Sequence, residues 1–319
     1  MIYTRDEAIQ YLDQLGENKT PFVFFTDFLA KKAWIKPIDE IDPNELRYQF
    51  SDQQNPVPGV DFKFKKFPLS FQDFRVSYDQ VLHELTIGNS YLVNLTFKTQ
   101  IELSLSLDQI FELSKAKYKL KYKDKFVVFS PETFIRIENG FIYSYPMKGT
   151  IDAKIPNADR IILEDPKELS EHVTIVDLIR NDLSQVAQDV EVSKFRFISE
   201  VKTNEKTLLQ VSSEIKGKLF DESRIGSTLF KLLPAGSISG APKNKTIKII
   251  SQAENYDRGY FTGICGIFDG EVFDSGVMIR FIEKENETYY FKSGGGITAL
   301  SDPQKEYNEF VDKVYVPIH

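Results

Sequence analysis

The sequence predicts an α+β fold built largely from antiparallel sheets. Three observations lead there. β-rich runs recur along the 319 residues, with helical stretches between them and no regular strand–helix–strand alternation. Near the middle, FIRI and FIYSY flank Glu138-Asn139-Gly140, the pattern of a β-hairpin. No internal repeat or low-complexity stretch points to a solenoid or a linker array.

Composition bounds the rest. A hydrophobic content of 41% and a charged content of 27% are those of a globular protein, long enough for one large domain or two small ones. The net charge of −7 argues against nucleic acid or an anionic membrane as the main partner. An anionic substrate would need a locally basic site or a metal. A single cysteine, Cys265, excludes an internal disulfide and a multi-cysteine zinc site. In the run GICGIF it reads as a buried strand thiol. The start, MIYTRDEAIQYL, has no signal h-region, and no run nears the roughly 18 apolar residues of a membrane span. A cytoplasmic protein is expected.

Along the chain, residues 1–20 predict a short amphipathic helix stopped near Gly16, then PFVFFTDF a strand and IKPIDEIDPNEL a loop. Residues 51–68, with their prolines and glycine, read as a surface excursion ending in the sheet-forming FKFKKF. Phe71–Ile87 is a helix stopped by Gly88, Tyr91–Glu102 a strand and Leu107–Lys117 a short helix. The lysine-rich stretch 115–125 reads as a solvated face, and Phe126–Phe129 as a strand. After the hairpin, Val173, Val176, Ile179 and Leu183 form the apolar stripe of a helix within 158–184. Strands follow at Val190–Ile198 and Thr207–Leu219, and a helix near Gly226–Leu233. The tail carries strands at Gly263–Phe268, Ser275–Glu283 and Tyr289–Ser293. A helix over Pro303–Val314, capped by Ser301 or Asp302, ends it.

Several groups carry chemistry. Glu132 and Lys148 stand sixteen residues apart on either side of the hairpin, so both can face one pocket. The Pro-Met-Lys-Gly-Thr corner presents Lys148 on a tight turn. An amine beside a carboxylic acid suits nucleophilic attack with protonation of a leaving group. PAGSISGAPK leads a glycine-rich loop into a helix whose first turn holds Pro242, a place where free backbone N–H groups receive anions. Glu306 and Glu309 share one helix face and, with Glu171, supply oxygen ligands for a hard divalent ion. Each group also has an inert reading: a solvated ion pair, a structural turn, a helix-dipole acid.

Together the segments resemble the chorismate-utilising enzymes: anthranilate synthase component I, aminodeoxychorismate synthase component I, and the isochorismate and salicylate synthases. The resemblance rests on SPETF, YPMKGT, ELSEHVTIVDLIRNDL, LLPAGSISGAPK, ENYDRGYFTGICGIF, SGVMIRFI and FKSGGGITALSDPQKEYNEFVDKV, in that order, from about Ser70 onward. It implies a sandwich of two large, mostly antiparallel sheets with helices outside and the active site between them. It also implies a shortened N-terminal region over residues 1–69 and a chorismate-binding catalytic domain over 70–319. By the resemblance, Glu171 and Glu306 match Mg²⁺-binding carboxylates, with Glu309 close by. Arg280 matches the arginine that grips the enolpyruvyl carboxylate, and Tyr260 the tyrosine beside it. Ser239, Gly240 and Ala241, like Gly294, Gly295 and Gly296, match segments that offer backbone N–H groups to the ligand. Lys313 matches a site lysine near the metal helix.

Lys148 selects the branch, because aminodeoxychorismate synthases resemble P-I-K-G-T here whereas anthranilate synthases carry alanine. The implied reaction is amination of chorismate through a covalent Lys148 intermediate, with Glu132 as general acid and 4-aminobenzoate and folate downstream. An amine must be neutral to attack, so the site is expected to lower the Lys148 pKa from about 10.4. Leu92 stands where glutamine is usual in these two synthases, and where a water-activating lysine stands in the isochorismate and salicylate synthases. Gln210 stands where histidine is common. The chain carries no glutaminase signature, so ammonia is expected from solution or a separate glutamine amidotransferase subunit. The region before the catalytic part spans only about 70 residues, so no tryptophan inhibition is expected; a calorimetric signal with micromolar tryptophan would overturn this. Two other readings stay open: anthranilate synthase component I, and a non-catalytic member of the family.

Overall fold

A computed structural model of the chain describes residues 1–51, 60–202 and 207–318. In chain order it begins with β1 (Ile2–Thr4), α1 (Arg5–Glu17), β2 (Phe22–Thr26), β3 (Lys32–Pro37), β4 (Leu46–Phe50) and β5 (Phe64–Phe67). Next come α2 (Phe71–Thr86), β6 (Leu92–Leu103), α3 (Leu107–Leu113), β7 (Tyr118–Tyr122), β8 (Phe126–Ser130), β9 (Thr133–Glu138), β10 (Phe141–Ser144) and β11 (Met147–Asp152). Then follow α4 (Ala158–Glu164), α5 (Pro166–Leu183), β12 (Ala187–Lys202), β13 (Thr207–Leu219), α6 (Ile225–Leu232), α7 (Gly236–Ser239) and β14 (Gly240–Ala241). The chain ends with α8 (Lys243–Ala253), β15 (Ile264–Phe268), β16 (Phe273–Val277), β17 (Phe281–Glu285), β18 (Thr288–Ile297) and α9 (Pro303–Asp312).

These strands form two sheets, and every recorded pairing is antiparallel. The ten-stranded sheet runs β1-β3-β2-β15-β16-β9-β10-β13-β11, with β12 also on β13. The eight-stranded sheet runs β14-β6-β18-β17-β8-β7-β4, with β5 also on β6. The fold is thus the α+β arrangement of two large antiparallel sheets that the sequence predicts.

Runs such as FVFF and FVVF are apolar throughout because both faces of their strands are buried. Val23, Phe25, Trp34, Phe126, Val128 and Phe281 point into the space between the sheets. The alternate residues Phe22 and Phe24 join a core with α1, α2 and α6. Val127 and Phe129 pack under α3 and the C-terminal residues Val314, Val316 and Ile318. Phe25 stacks on Trp34 at 5.5 Å between ring centres and meets Phe126 edge-on at 5.6 Å.

Four expectations are corrected. The supposed 115–125 solvated face contains β7, whose five residues are all buried. Its lysines lay their stems along the sheet and carry the amines to its rim, where Lys119 donates to the Phe111 carbonyl and Lys121 pairs with Asp108. The single strand expected over Ser275–Glu283 is two, β16 and β17, one in each sheet, with the crossing at Met278–Arg280. The IKPIDEIDPNEL loop is strand at both ends. The stripe on α5 is narrower than expected, since Val173 is exposed. Of the excursion at 51–68, residues 52–59 lie outside the described residues. The boundary at residue 70 falls between β5 and α2, and the strands before it belong to both sheets. Among the described residues no helix is long and apolar enough to cross a membrane.

Candidate active site

The β9–β10 hairpin closes through Asn139 and Gly140, both with positive φ (53° and 76°), as a two-residue turn matching strand twist requires. Glu132 enters β9 with its backbone fixed at both ends. Its N–H donates to Ser130 Oγ at 3.1 Å, and its carbonyl accepts from Val277 N–H at 3.0 Å. Lys148 is not on a corner turn, as expected, but inside β11. There the register against β13 slips between Met147 and Thr150, and Gly149 takes φ +88°. The slip is a bulge, a device that re-aims a side chain out of the ladder.

Lys148 Nζ lies 2.7 Å from Glu171 Oε2 on α5. Burial works to lower its pKa, but the hydrogen bond and charge of Glu171, with Glu309 and Glu168 behind it, outweigh burial and hold the pKa above its ordinary value. This reverses the expected depression: in this arrangement the amine is a charged ammonium.

Glu132 lines a small cleft, of about 40 Å³, between the hairpin, α5 and α7. Met147, Ile175, Ile179, Leu183 and Leu232 make most of its wall apolar. Burial raises the Glu132 pKa, opposed by a hydrogen bond from Ser237 and by the charges of Lys313 and Arg280. Ser237 Oγ donates to Glu132 Oε1 at 3.0 Å. Arg280 holds its place in the left-handed region at φ +53°, where the chain crosses between the sheets. Its Nη1 donates to the Lys313 carbonyl at 3.3 Å, its guanidinium lies over Tyr315 at 5.0 Å, and its Nε is buried without a partner.

Asp302 caps α9 by accepting from Lys305 N–H, and this orients the helix acids. Glu306, Glu309 and Lys313 converge over Gly295: a Cβ there would lie 3.9, 3.7 and 3.5 Å from their polar atoms. Lys313 Nζ pairs with Glu309 at 2.6 Å and donates to the Gly294 carbonyl at 3.0 Å. Charge links the surroundings of the two expected catalytic groups: Lys313 acts on Glu132 and Glu309 on Lys148 at a distance, and Lys313 and Glu309 are themselves paired. Oxygen donors from α5 and α9 facing one space are the donor chemistry of a hard divalent ion. Among the described residues, however, no three acidic, histidine or cysteine side chains are grouped closely enough to hold one. Lysines stand as counter-ions on Glu171 and Glu309.

Other expected residues are placed differently. Tyr260 packs into the aromatic cluster between the sheets, 5.2 Å from Phe25 and 5.3 Å from Phe126, and burial pushes its pKa up to about 12. Its neighbour Phe261 is the one that reaches Phe281, beside Arg280. Ser239 is buried and donates to the Ala235 carbonyl. Gly240 and Ala241 are paired to β6 as a short strand, and Gly294–Gly296 are paired to the same β6 from its other side. Pro242 is the N-cap of α8 rather than part of its first turn. Sequence reasoning missed Ser237, Glu168 and Arg258, because each reaches the site through tertiary contacts that no local spacing announces.

Residues 16–319 match the family described as chorismate binding enzyme. An uncharacterized PabA-like protein of Pasteurella multocida is 49% identical over 317 residues, covering 97% of this chain and 98% of that one. Another, of Haemophilus influenzae, is 47% identical over 323 residues, covering 99% and 98%. Anthranilate synthase component 1 of Archaeoglobus fulgidus is 30% identical over 246 residues, 74% of this chain and 57% of its own. The menaquinone-specific isochorismate synthase of Escherichia coli superposes with a TM-score of 0.75 at 16% identity, over 98% of this chain and 82% of that one. That likeness is one of fold. With the fold and family match in agreement, the chain belongs to the family of chorismate binding enzymes.

Proposed function

We propose that the protein is an aminodeoxychorismate synthase component I, which converts chorismate and ammonia to 4-amino-4-deoxychorismate. The observation that carries this is Lys148, an amine at the β11 bulge paired with Glu171 and set across the hairpin from Glu132, a carboxyl whose pKa burial raises. The name PabA-like borne by the relatives at 47% and 49% identity is related to that synthase.

Lys148 first gives up a proton, for which Glu171 is the acceptor in reach. Its nitrogen then bonds to ring C2, the two ring double bonds shift, and the C4–O bond breaks. Glu132 supplies the proton with which that oxygen leaves as water. Ammonia next bonds to C4, the double bonds shift back and the C2–N bond breaks. The proton lost by the incoming nitrogen balances the one taken up by the departing lysine. Two allylic displacements replace one difficult substitution. Arg280, with its unpartnered Nε, suits the enolpyruvyl carboxylate. To hold Mg²⁺, Glu171, Glu306 and Glu309 would have to draw together and release Lys148 and Lys313; the ion would then supply positive charge for the ring carboxylate of a dianion. Cys265 is fully buried, so glutamine hydrolysis falls to a separate amidotransferase subunit. A lyase would then release 4-aminobenzoate.

The test is product identification. Purified protein is incubated with chorismate, Mg²⁺ and ammonium, beside Lys148→Ala, and resolved by mass spectrometry. The expected product has the mass of aminodeoxychorismate and forms at least a hundredfold more slowly in the variant, the scale of losing a catalytic nucleophile or acid–base group. Anthranilate from the wild type would overturn the reading. Unchanged chorismate, persisting after a glutaminase subunit and glutamine are added, would mark a binding protein.

A further inference from the structure

The geometry points to Ser237 as the positioning residue for Glu132: it fixes which carboxylate oxygen carries the proton and receives the charge left when that proton is delivered. The inference rests on the proton-donor role of Glu132 proposed above.

Ser237 Oγ–H donates to Glu132 Oε1 at 3.0 Å. With Oε1 engaged as an acceptor, the acidic proton is left to Oε2. Without that bond the two oxygens are interchangeable, because the terminal carboxyl torsion is soft. The bond also changes strength during the reaction. A neutral acid accepts weakly, whereas the carboxylate formed on proton delivery accepts strongly. An interaction that strengthens along the reaction lowers the barrier rather than merely binding the ground state.

The hydroxyl is held for this task from three directions. It is carried on α7, a helix of four residues. Arg258 Nη1 donates to the Ile238 carbonyl at 2.9 Å, and Arg258 is locked to Glu254 by a buried ion pair of 2.6 Å. Lys243 Nζ bridges Asp182 Oδ2 at 3.0 Å and the Leu232 carbonyl at 2.9 Å. Gly240 and Ala241, just past the helix, are paired to Val93 and Leu92 of β6. One anchor on the helix and others on the chain just before and after it fix the backbone that carries Ser237.

The other groups around Glu132 act differently. Arg280 and Lys313 oppose the burial that raises its pKa, but as charges at a distance. Asp182 and Tyr145 line the same cleft, and Asp182 is already committed to Lys243. Among the described residues Ser237 is the side chain that the structure records in hydrogen-bond contact with the Glu132 carboxylate.

The experiment follows the Glu132 carboxyl by infrared difference titration of the ligand-free protein, with Glu132→Gln assigning its band. Ser237→Ala, Ser237→Thr and Ser237→Cys are compared with the wild type, each on protein shown to be folded by circular dichroism. In Ser237→Ala the Glu132 proton affinity is expected to rise about fivefold or more, the equivalent of one ordinary hydrogen bond. Threonine should restore the wild-type midpoint. Cysteine, which keeps the volume and donates weakly, should shift it as alanine does, and replaces alanine if that variant does not fold. An unchanged midpoint in a folded alanine or cysteine variant overturns the inference. With chorismate turnover as second readout, kcat of Ser237→Ala should fall about tenfold with KM little changed, the pattern of an interaction made in the transition state. The titration needs no turnover. A Glu132→Gln protein that remains fully active would thus sink the acid role while leaving the positioning of the carboxyl by Ser237 measured on its own.

Discussion

Glu132 is kept in its reactive form at the expense of the fold. Burial raises its folded-state pKa above the unfolded value. Its stabilising contribution is therefore complete below the unfolded carboxyl pKa of about 4.3 and is lost as pH rises through the folded value. Glu132→Gln should accordingly unfold at higher urea than the wild type at pH 7.5, with the gap closing as pH falls below about 4.3. A gap independent of pH would count against a desolvated carboxyl here. Gly149 makes the complementary point. Its φ of +88° is a conformation that a side chain strains, and a built Cβ would lie 2.8 Å from Glu168 Oε2 and push that carboxylate aside. Gly149→Ala should cost about 1–3 kcal/mol in chemical denaturation and displace Lys148 with it. The hairpin between Glu132 and Lys148 was legible in the sequence, because a hairpin turn is a local signal; their partners, Ser237 for the one and Glu171 for the other, were not. The sign of the Lys148 shift was not. It depends on Glu171 and Glu309, carried by two helices remote from the hairpin and from each other. Tyr260 shows the same limit, since its packing is decided by Phe25 and Phe126 across the sandwich.

At the scale of elements, the most exacting one is the buried Arg258–Glu254 pair that ties α7, α8 and β6 together. Arg258 donates to Glu254 twice, to the Ile238 carbonyl and to the Asn94 carbonyl at 2.7 Å, while Glu254 Oε1 accepts from Thr96 N–H. Arg258→Met leaves the Glu254 carboxylate buried and uncompensated, and should destabilise by about 3–5 kcal/mol in urea titration. Adding Glu254→Leu should return part of that loss; a fully additive double mutant would disprove the coupling. Helices with strong caps and amphipathic stripes, such as α2 and α9, were readable from sequence. Strand β7 was not, because alternating lysines look solvated until α3 supplies Asp108 and the Phe111 carbonyl to receive their amines. The break between β16 and β17 was equally hidden. GVMIRFI is apolar on both sides of the crossing, and only the change of sheet partner divides it.

For the whole molecule, the strands ahead of residue 70 matter most. β1, β2 and β3 lie in the ten-stranded sheet, β4 and β5 in the eight-stranded one. A chain whose first strands sit in both sheets should melt as one unit, giving a single calorimetric transition whose van't Hoff and calorimetric enthalpies agree. Two resolved transitions would show that residues 70–319 hold together alone. The antiparallel α+β class was legible from strand density and the absence of strand–helix alternation, and the two-sheet sandwich from the family resemblance, but the order of strands within each sheet was not, because remote segments such as β2 and β15 pair across most of the chain.

One strand has a wider consequence. β6 carries Gly240–Ala241 on one flank and Gly294–Gly296 on the other, with Val93 opposite both Gly240 and Ile297. It works as a common ruler. A slip of one residue would turn its side chains to the opposite face and carry both glycine segments along. The two segments cannot be retuned one at a time, so variety on this scaffold is steered toward side chains that project from the ruler itself. Leu92 is such a side chain, with its Cδ1 3.0 Å from where a Cβ on Gly296 would stand.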